Sequence, residues 1–113
     1  MEYSIKEIVR IIGAQANNLQ DSTISILLTD SRRLSFPEQS LFFALKTKTN
    51  DGHRYIKELY KLRVRNFVVS EMLPEFESLG EANFLVVKDT LKALQKLATH
   101  QRKQFNIPVI GIT

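Results

Sequence analysis

The sequence predicts an α/β fold: a mainly parallel sheet with flanking helices. Three observations carry this. Short apolar or β-branched runs alternate along the chain with amphipathic stretches at helical spacing. The runs at residues 41–45, 67–69 and 84–87 are short and apolar, and the first is continuous, as in a strand covered on both faces. A length of 113 residues, 43% hydrophobic and 25% charged, fits one domain with one core of moderate size.

Each element has its own signal. Ser4-Ile5-Lys6-Glu7 forms a capping box, in which the first and last residues satisfy each other's exposed amides. Ile5, Ile8, Val9 and Ile12 then make one apolar stripe, and Gly13 stands where a helix closes in the left-handed conformation. Residues 14–23 read as a polar connection with room for a short strand. Residues 24–29 read as a strand leading into the Asp30-Ser31-Arg32 loop, and Pro37 breaks the segment after it. A strand at 41–45 precedes the polar loop 46–52. A helix runs from His53 to about Leu62, with Tyr55, Ile56, Leu59, Tyr60 and Leu62 on its inner side. A strand at 67–69, a brief helix at 74–79 and a strand at 84–87 follow. Asp89 or Thr90 caps the last long helix. Leu91, Leu94, Leu97, Ala98 and Phe105 give that helix its apolar face, and Lys92, Lys96 and Lys103 lie largely away from it. Pro108 follows its end, and a last strand starts at 109–112.

Composition excludes several classes. Without cysteine there is no disulfide framework and no thiolate metal site, which suits a reducing cytoplasm. No apolar run approaches the roughly 20 residues that span a bilayer, and Glu2, Lys6 and Glu7 interrupt any signal-peptide pattern. The net charge of +4 is uneven: residues 46–66 hold seven basic and two acidic side chains, and the segments on either side nearly balance. Such a cluster attracts phosphates or simply solvates a helix face. His53 and His100 stand far apart on different helices with no metal-ligand spacing, and His100 reads as a surface residue. Ser31 has no evident histidine partner, so no catalytic residue and no metal site is assigned. The pI of about 9.5 raises a nucleic-acid-binding module as a second class. The basic residues lack interleaved exposed aromatics, and no RNA-binding signature appears. A purely structural or interaction domain is the third class.

Ligands of open α/β sheets bind outside the carboxyl ends of the strands. The Asp30-Ser31-Arg32 loop and the Lys46-to-Gly52 loop each follow a strand and fall on that side. The first brings a hydroxyl and a guanidinium, the second two lysines, two threonines and an asparagine, a set suited to a phosphorylated, hydroxyl-rich ligand. Asp51 reads chiefly as a helix cap and Gly52 as a turn residue.

In order along the chain stand Asp30-Ser31-Arg32, Pro37, Leu41-Phe42-Phe43-Ala44-Leu45 and Asp51-Gly52-His53. After them come residues 84–90 ending in Asp89-Thr90, then Ala93-Leu94-Gln95-Lys96-Leu97-Ala98, and last residues 108–113. This ordered set covers nearly the whole chain and resembles the N-terminal, UDP-binding domain of the Mur ligases. The last residues resemble the strand that runs into that family's ATP-binding P-loop. The resemblance implies a division of the chain into 1–107, which binds the UDP-N-acetylmuramoyl-peptide, and 108–113, the first strand of an ATP-binding central domain. It implies an ATP-dependent ligase of peptidoglycan synthesis in the cytoplasm, with ATP and Mg2+ held by the parent's other domains and no cofactor in this segment. The start and spacing are most similar to the branch that adds D-alanyl-D-alanine to UDP-N-acetylmuramoyl-tripeptide, and the tripeptide-forming branch is the nearest rival. The partners implied are the UDP-N-acetylmuramoyl-peptide, the remaining ligase domains and, in bacteria that fuse the two, an alanine racemase; no nucleic acid and no membrane insertion are implied. Residue by residue, the UDP contacts fall on Thr29, Ser31, Arg32, Lys46, Lys48, Thr49 and Asn50, with Asp30, Asp51, Gly52 and His53 as structural motif. Two places depart from the family pattern: Thr47 stands where a glycine is usual, and Arg63-Val64-Arg65 replaces a common Gly-Ala.

Overall fold

Ser4 opens the first helix through the box that the sequence announces. In the computed structural model, which describes residues 2–17 and 19–104, strand β1 is Tyr3–Ser4 and helix α1 is Ile5–Ile12. The Ser4 hydroxyl accepts from the Glu7 amide at 3.2 Å, and the Glu7 carboxylate accepts from the Ser4 amide at 3.1 Å. Gly13 closes the helix at φ 67°, a conformation that costs glycine little. Ile5, Ile8 and Ile12 are buried, with Val9 packed beside them.

The strand expected at 24–29 is divided between two sheets. Strand β2 (Thr23–Ile24) pairs antiparallel with β1, and strand β3 (Ile26–Leu28) joins the main sheet. Ser25 marks the change of partner: its amide donates to the Gln39 carbonyl at 3.0 Å. An apolar run carries no mark of such a switch, since both pairings ask only for extended backbone and burial.

Among the described residues the main sheet has the order β3-β4-β5-β6, with β4 at Ser40–Phe43, β5 at Asn66–Val69 and β6 at Asn83–Val86. Every pairing in it is parallel. Side chains of a strand alternate between faces, and β4 shows what this does. Leu41 and Phe43 join Val68, Leu85, α1 and helix α3 (Thr90–Gln104) in one core cluster. Phe42 and Ala44 join Phe67, Val69, helix α2 (Ile56–Lys61) and the 3-10 turn Pro74–Ser78 in the other. Phe67 stacks on Phe84 at 5.5 Å and Phe84 on Phe76 at 5.0 Å. Full burial of one such ring stabilises the fold by about 1.5–3 kcal/mol.

Several expectations shift by a turn. The helix expected from His53 begins as the 3-10 turn Gly52–Tyr55, and only then becomes α2. Leu62, expected on its inner side, is 50% exposed. The helix has ended there, and Arg63 takes a left-handed φ of 80°, which a side-chain-bearing residue adopts at a cost of about 1–3 kcal/mol. Leu91, expected on the apolar face of α3, is also 50% exposed. The buried stripe runs instead through Thr90, Ala93 and Leu97, because the Thr90 hydroxyl donates to the Ala44 carbonyl at 2.9 Å and sets the helix's rotation. Asp89 caps α3 by accepting from the Lys92 amide. The brief helix expected at 74–79 is the 3-10 turn Pro74–Ser78. His100 is half-buried rather than at the surface, with its Nδ1 3.2 Å from the Tyr3 hydroxyl. Phe105 and the strand expected at 109–112 lie outside the described residues.

The amino-terminal edge of the sheet is tied by amides. Asn83 Nδ2 donates to Asn66 Oδ1 at 2.8 Å and to the Gln20 carbonyl at 2.9 Å, and Asn83 Oδ1 accepts from the Gln20 amide at 2.8 Å. Asn66 Nδ2 donates to the Ser22 hydroxyl at 2.9 Å. Buried amides are stable only when satisfied. Here they fasten the 20–22 segment across the ends of β5 and β6.

Candidate functional site

Parallel pairing of β3 with β4 sends both expected loops out of the same edge of the sheet, at adjacent carboxyl ends. Between them lies a cleft of about 520 Å3, lined by Thr29, Asp30, Ser31, Arg32, Leu45, Thr47, Asn50, Gly52 and Tyr55.

The first wall is a turn that Asp30 builds. Its carboxylate accepts from the Arg32 amide at 2.9 Å, which caps the 3-10 turn Ser31–Arg33. The same carboxylate takes the Arg32 guanidinium in a two-point contact, Nε at 3.0 Å and Nη2 at 2.9 Å. The hydrogen bond from the Arg32 side chain, then that from its backbone amide, hold the Asp30 carboxyl down to about 2. Arg32 thus lines the cleft with its charge already partnered, and Ser31 stands half-buried beside it.

The second wall hangs on Asp51, Gly52 and His53. The Gly52 amide donates to the Leu45 carbonyl at 2.8 Å. A Cβ on Gly52 would meet the Leu45 nitrogen at 2.8 Å and the Ala44 Cα at 2.9 Å, so only glycine lets these backbones approach. Asp51 Oδ1 accepts from the His53 amide at 3.0 Å and lies 2.6 Å from His53 Nδ1. His53 Nε2 accepts from the Ser70 amide at 3.1 Å, so the ring proton sits on Nδ1 and is given to Asp51. Burial pushes the Asp51 carboxyl up, but the hydrogen bonds from the His53 amide and ring outweigh it and hold the group below the usual aspartate range. His53 is 2% exposed and works as a bolt between the loop and the end of β5.

Beyond this bolt the loop is solvated. Thr47 and Asn50 close its tip: the Thr47 amide donates to the Asn50 carbonyl at 2.8 Å, and the Asn50 amide to Thr47 Oγ1 at 3.1 Å. A hydroxyl that clamps the turn thus occupies the place where the resembling family carries glycine. Lys46 leans away from the cleft, 3.0 Å from Glu71 and 3.9 Å from Asp51. The hydrogen bond that Lys46 donates to Glu71, and then the charge of Glu71, raise the Lys46 ammonium's pKa. Asp51, His53 and Glu71 hold potential metal-ligand atoms within 4.8 Å of one another. The cation among them is this ammonium, and both His53 nitrogens are engaged, so the group is spoken for.

Of the expected contact residues, Thr29, Ser31, Arg32 and Asn50 come together on the cleft, with Asp30 and Gly52 from the structural motif. Lys48 and Thr49 are exposed at the loop tip beside it, and Lys46 belongs to the ion-pair group. Sequence reasoning missed Tyr55 and Leu45. The available signal for Tyr55 was its place one 3-10 turn after Asp51-Gly52, which brings it to the cleft wall while it also packs against the core.

No family model matches the chain. Over 99 residues, 86% of its length, it is 37% identical to the UDP-N-acetylmuramoyl-tripeptide--D-alanyl-D-alanine ligase of a Synechocystis strain. Over 88 residues, 74% of its length, it is 34% identical to the UDP-N-acetylmuramoyl-L-alanyl-D-glutamate--2,6-diaminopimelate ligase of Clostridioides difficile. It spans about a fifth of the first relative's length (20%) and 16% of the second's. Among solved structures, MurF from Acinetobacter baumannii superposes with a TM-score of 0.79 at 23% identity, over 92% of this chain and 22% of that one. This last likeness bears on the fold, and it agrees with the α/β architecture read from the sequence.

Proposed function

From its relation to the Mur ligases in both sequence and fold, we propose that this chain is the substrate-binding domain of an ATP-dependent ligase that adds D-alanyl-D-alanine to UDP-N-acetylmuramoyl-tripeptide. The observation that carries the reading is the cleft at the carboxyl ends of β3 and β4, open between two loops and lined by Thr29, Ser31 and Asn50. Hydroxyls and an amide suit uridine, and the exposed Lys48 beside the cleft meets the diphosphate as a point charge. Residues 1–107 form this domain, and 108–113 begin the one that holds ATP and Mg2+. On this reading the groups that bind ATP and Mg2+ belong to the parent's other domains, so the chain alone binds UDP weakly and turns over no ATP. The parent enzyme works in the cytoplasm on cell-wall precursors, with the muramoyl-peptide held between this domain and the rest.

NMR titration of the chain with UDP tests this. Lys48→Ala removes one charge-assisted contact and weakens binding roughly tenfold or more, with a larger loss at low salt. Lys92→Ala on α3, where the side chain is exposed and far along the chain from both loops, leaves affinity unchanged. Shifts confined to α3, or equal losses from both substitutions, would place the nucleotide elsewhere.

A further inference from the structure

We propose that the groove between α1 and α3 is a docking surface for an acidic helix of a partner protein. It lies on the face of the sheet opposite α2 and is independent of the nucleotide site. The groove holds about 560 Å3. Ile11 of α1, half-buried against the core, supplies its apolar part, and Lys92, Lys96, Thr99 and Lys103 of α3 line its other side. Steps of four, three and four residues put these side chains on one face of a helix, in a row about 16 Å long. α3 carries Lys92, Lys96, Arg102 and Lys103 and no acidic residue. Elsewhere cations find carboxylates: Lys6 with Asp21, Lys46 with Glu71, Arg63 with Glu38 and Arg65 with Glu81. Lys92, Lys96 and Lys103 make no ion pair with any described residue. Glu7 of α1 lies within electrostatic reach of His100 on the groove, but its carboxylate already accepts from the Ser4 amide at 3.1 Å. Helix stability accounts for only part of the row. Arg102 and Lys103 suit the negative end of the helix dipole, whereas Lys92 stands in the first turn, where a cation opposes it. An apolar strip beside a row of unpaired ammonium groups complements a helix that has carboxylates at the same spacing and an apolar flank. A bilayer matches less well, because it is flat and the groove is concave. Nucleic acid matches less well too, because the groove presents no arginine and no aromatic ring but the His100 imidazole.

The probe is a synthetic alanine-rich helix of about 20 residues, long enough to hold its fold, with glutamates in the same steps and leucines beside them. Its glutamine counterpart is the neutral control. NMR titration of the chain with the glutamate helix should shift amides of α1 and α3 and leave the 46–52 loop unchanged. Lys92→Gln, Lys96→Gln and Lys103→Gln in one variant should lower affinity roughly tenfold or more at low salt, because each exposed pair is worth up to about fivefold. A second variant, with Arg33→Gln, Lys57→Gln and Lys61→Gln, loses the same charge away from the groove and should stay within about twofold of the parent. All six side chains are exposed, so both thermal midpoints should stay near the parent's and a lost affinity is not a folding effect. Equal losses from the two variants would show that net charge alone attracts the probe and would overturn the proposal. Equal binding of the glutamine helix would do the same, as would no binding of the glutamate helix at millimolar concentration. Tighter binding of phosphatidylglycerol vesicles or of a DNA duplex, lost in the first variant, would give the face to another class of partner and overturn the acidic helix.

Discussion

The two ends of the sheet handle polar side chains in opposite ways. At the amino-terminal edge, Gln20, Ser22, Asn66 and Asn83 spend their hydrogen bonds on one another, and the charges pair off as Arg63 with Glu38 and Arg65 with Glu81. At the carboxyl-terminal edge, the groups that fix the backbone are satisfied, and beyond them Ser31 and Lys48 have no hydrogen-bond partner among the described residues. Asp30, Asp51, Gly52 and His53 hold two loops in place, and Ser31, Asn50 and Lys48 are offered to the cleft or to solvent. One edge spends its amides on internal ties, although it too borders a cleft, of about 530 Å3. The other is a rigid frame with loose ends, as a binding site on a fixed scaffold requires.

The sharpest way to break this contrast is at Gly52. Gly52→Ala drives a Cβ into the backbone of Ala44 and Leu45, atoms that no rotamer change can move aside. Overpacking of this sort costs about 2–3 kcal/mol, and here it displaces the wall of the cleft as well. Urea denaturation should show that loss, with UDP binding reduced in the same protein. A stability within about 0.5 kcal/mol of the parent would mean the loop yields easily and the frame is not rigid.

Asn83→Ala is the matching cut at the other edge. It strips Asn66 Oδ1 and the Gln20 amide and carbonyl of their partner. Leaving buried polar groups unsatisfied costs about 1–3 kcal/mol, and we expect about 2 kcal/mol, lessened where water reaches Gln20. UDP affinity should stay within roughly twofold, which is within about 0.4 kcal/mol. Denaturation and titration on one preparation separate the two readouts. A large loss of UDP binding would show that the edges are coupled through the sheet.

The same contrast explains what could be read from the chain beforehand. The capping box at Ser4 and Glu7, the αL glycine at 13 and the parallel strands were legible because each is a local rule or a period along the sequence. Asp51 as a cap and Gly52 as a turn residue were legible for the same reason. The bolt from His53 to Ser70 was not, since it joins two segments 17 residues apart and nothing in either names the other. Nor was the Asn66–Asn83 tie visible, because an asparagine at a strand start looks like any turn residue until the neighbouring strand is placed. Lys46 was placed among the ligand contacts by the resemblance, as a basic neighbour in the loop, and only geometry reveals Glu71 as its partner. Tyr55 was given to the core and does pack against it, but helical periodicity hid that the 3-10 turn also brings it to the cleft.

The smallest effect concerns Arg32, and it decides on which side of the contrast this residue falls. If its main work is to hold the turn, Asp30 must feel it. Asp30 sits at about 2 when folded, against an ordinary 3.8. A carboxyl lowered on folding adds stability above the unfolded value, and that gain drains away as pH falls through the folded one. The Asp30 turn should therefore stay formed at pH 4 and loosen between about pH 4 and 2, before the bulk of the chain is affected by anything this residue does. The carboxyl-carbon NMR shift of Asp30 should titrate with a midpoint near 2. In Arg32→Ala the side-chain hydrogen bonds go and one backbone bond stays, so the midpoint rises toward 3.8 without reaching it. Because the pair is exposed, global stability at neutral pH changes little. A midpoint that does not move would mean the guanidinium spends its time away from Asp30, which makes Arg32 one of the loose ends available to a diphosphate and not part of the frame.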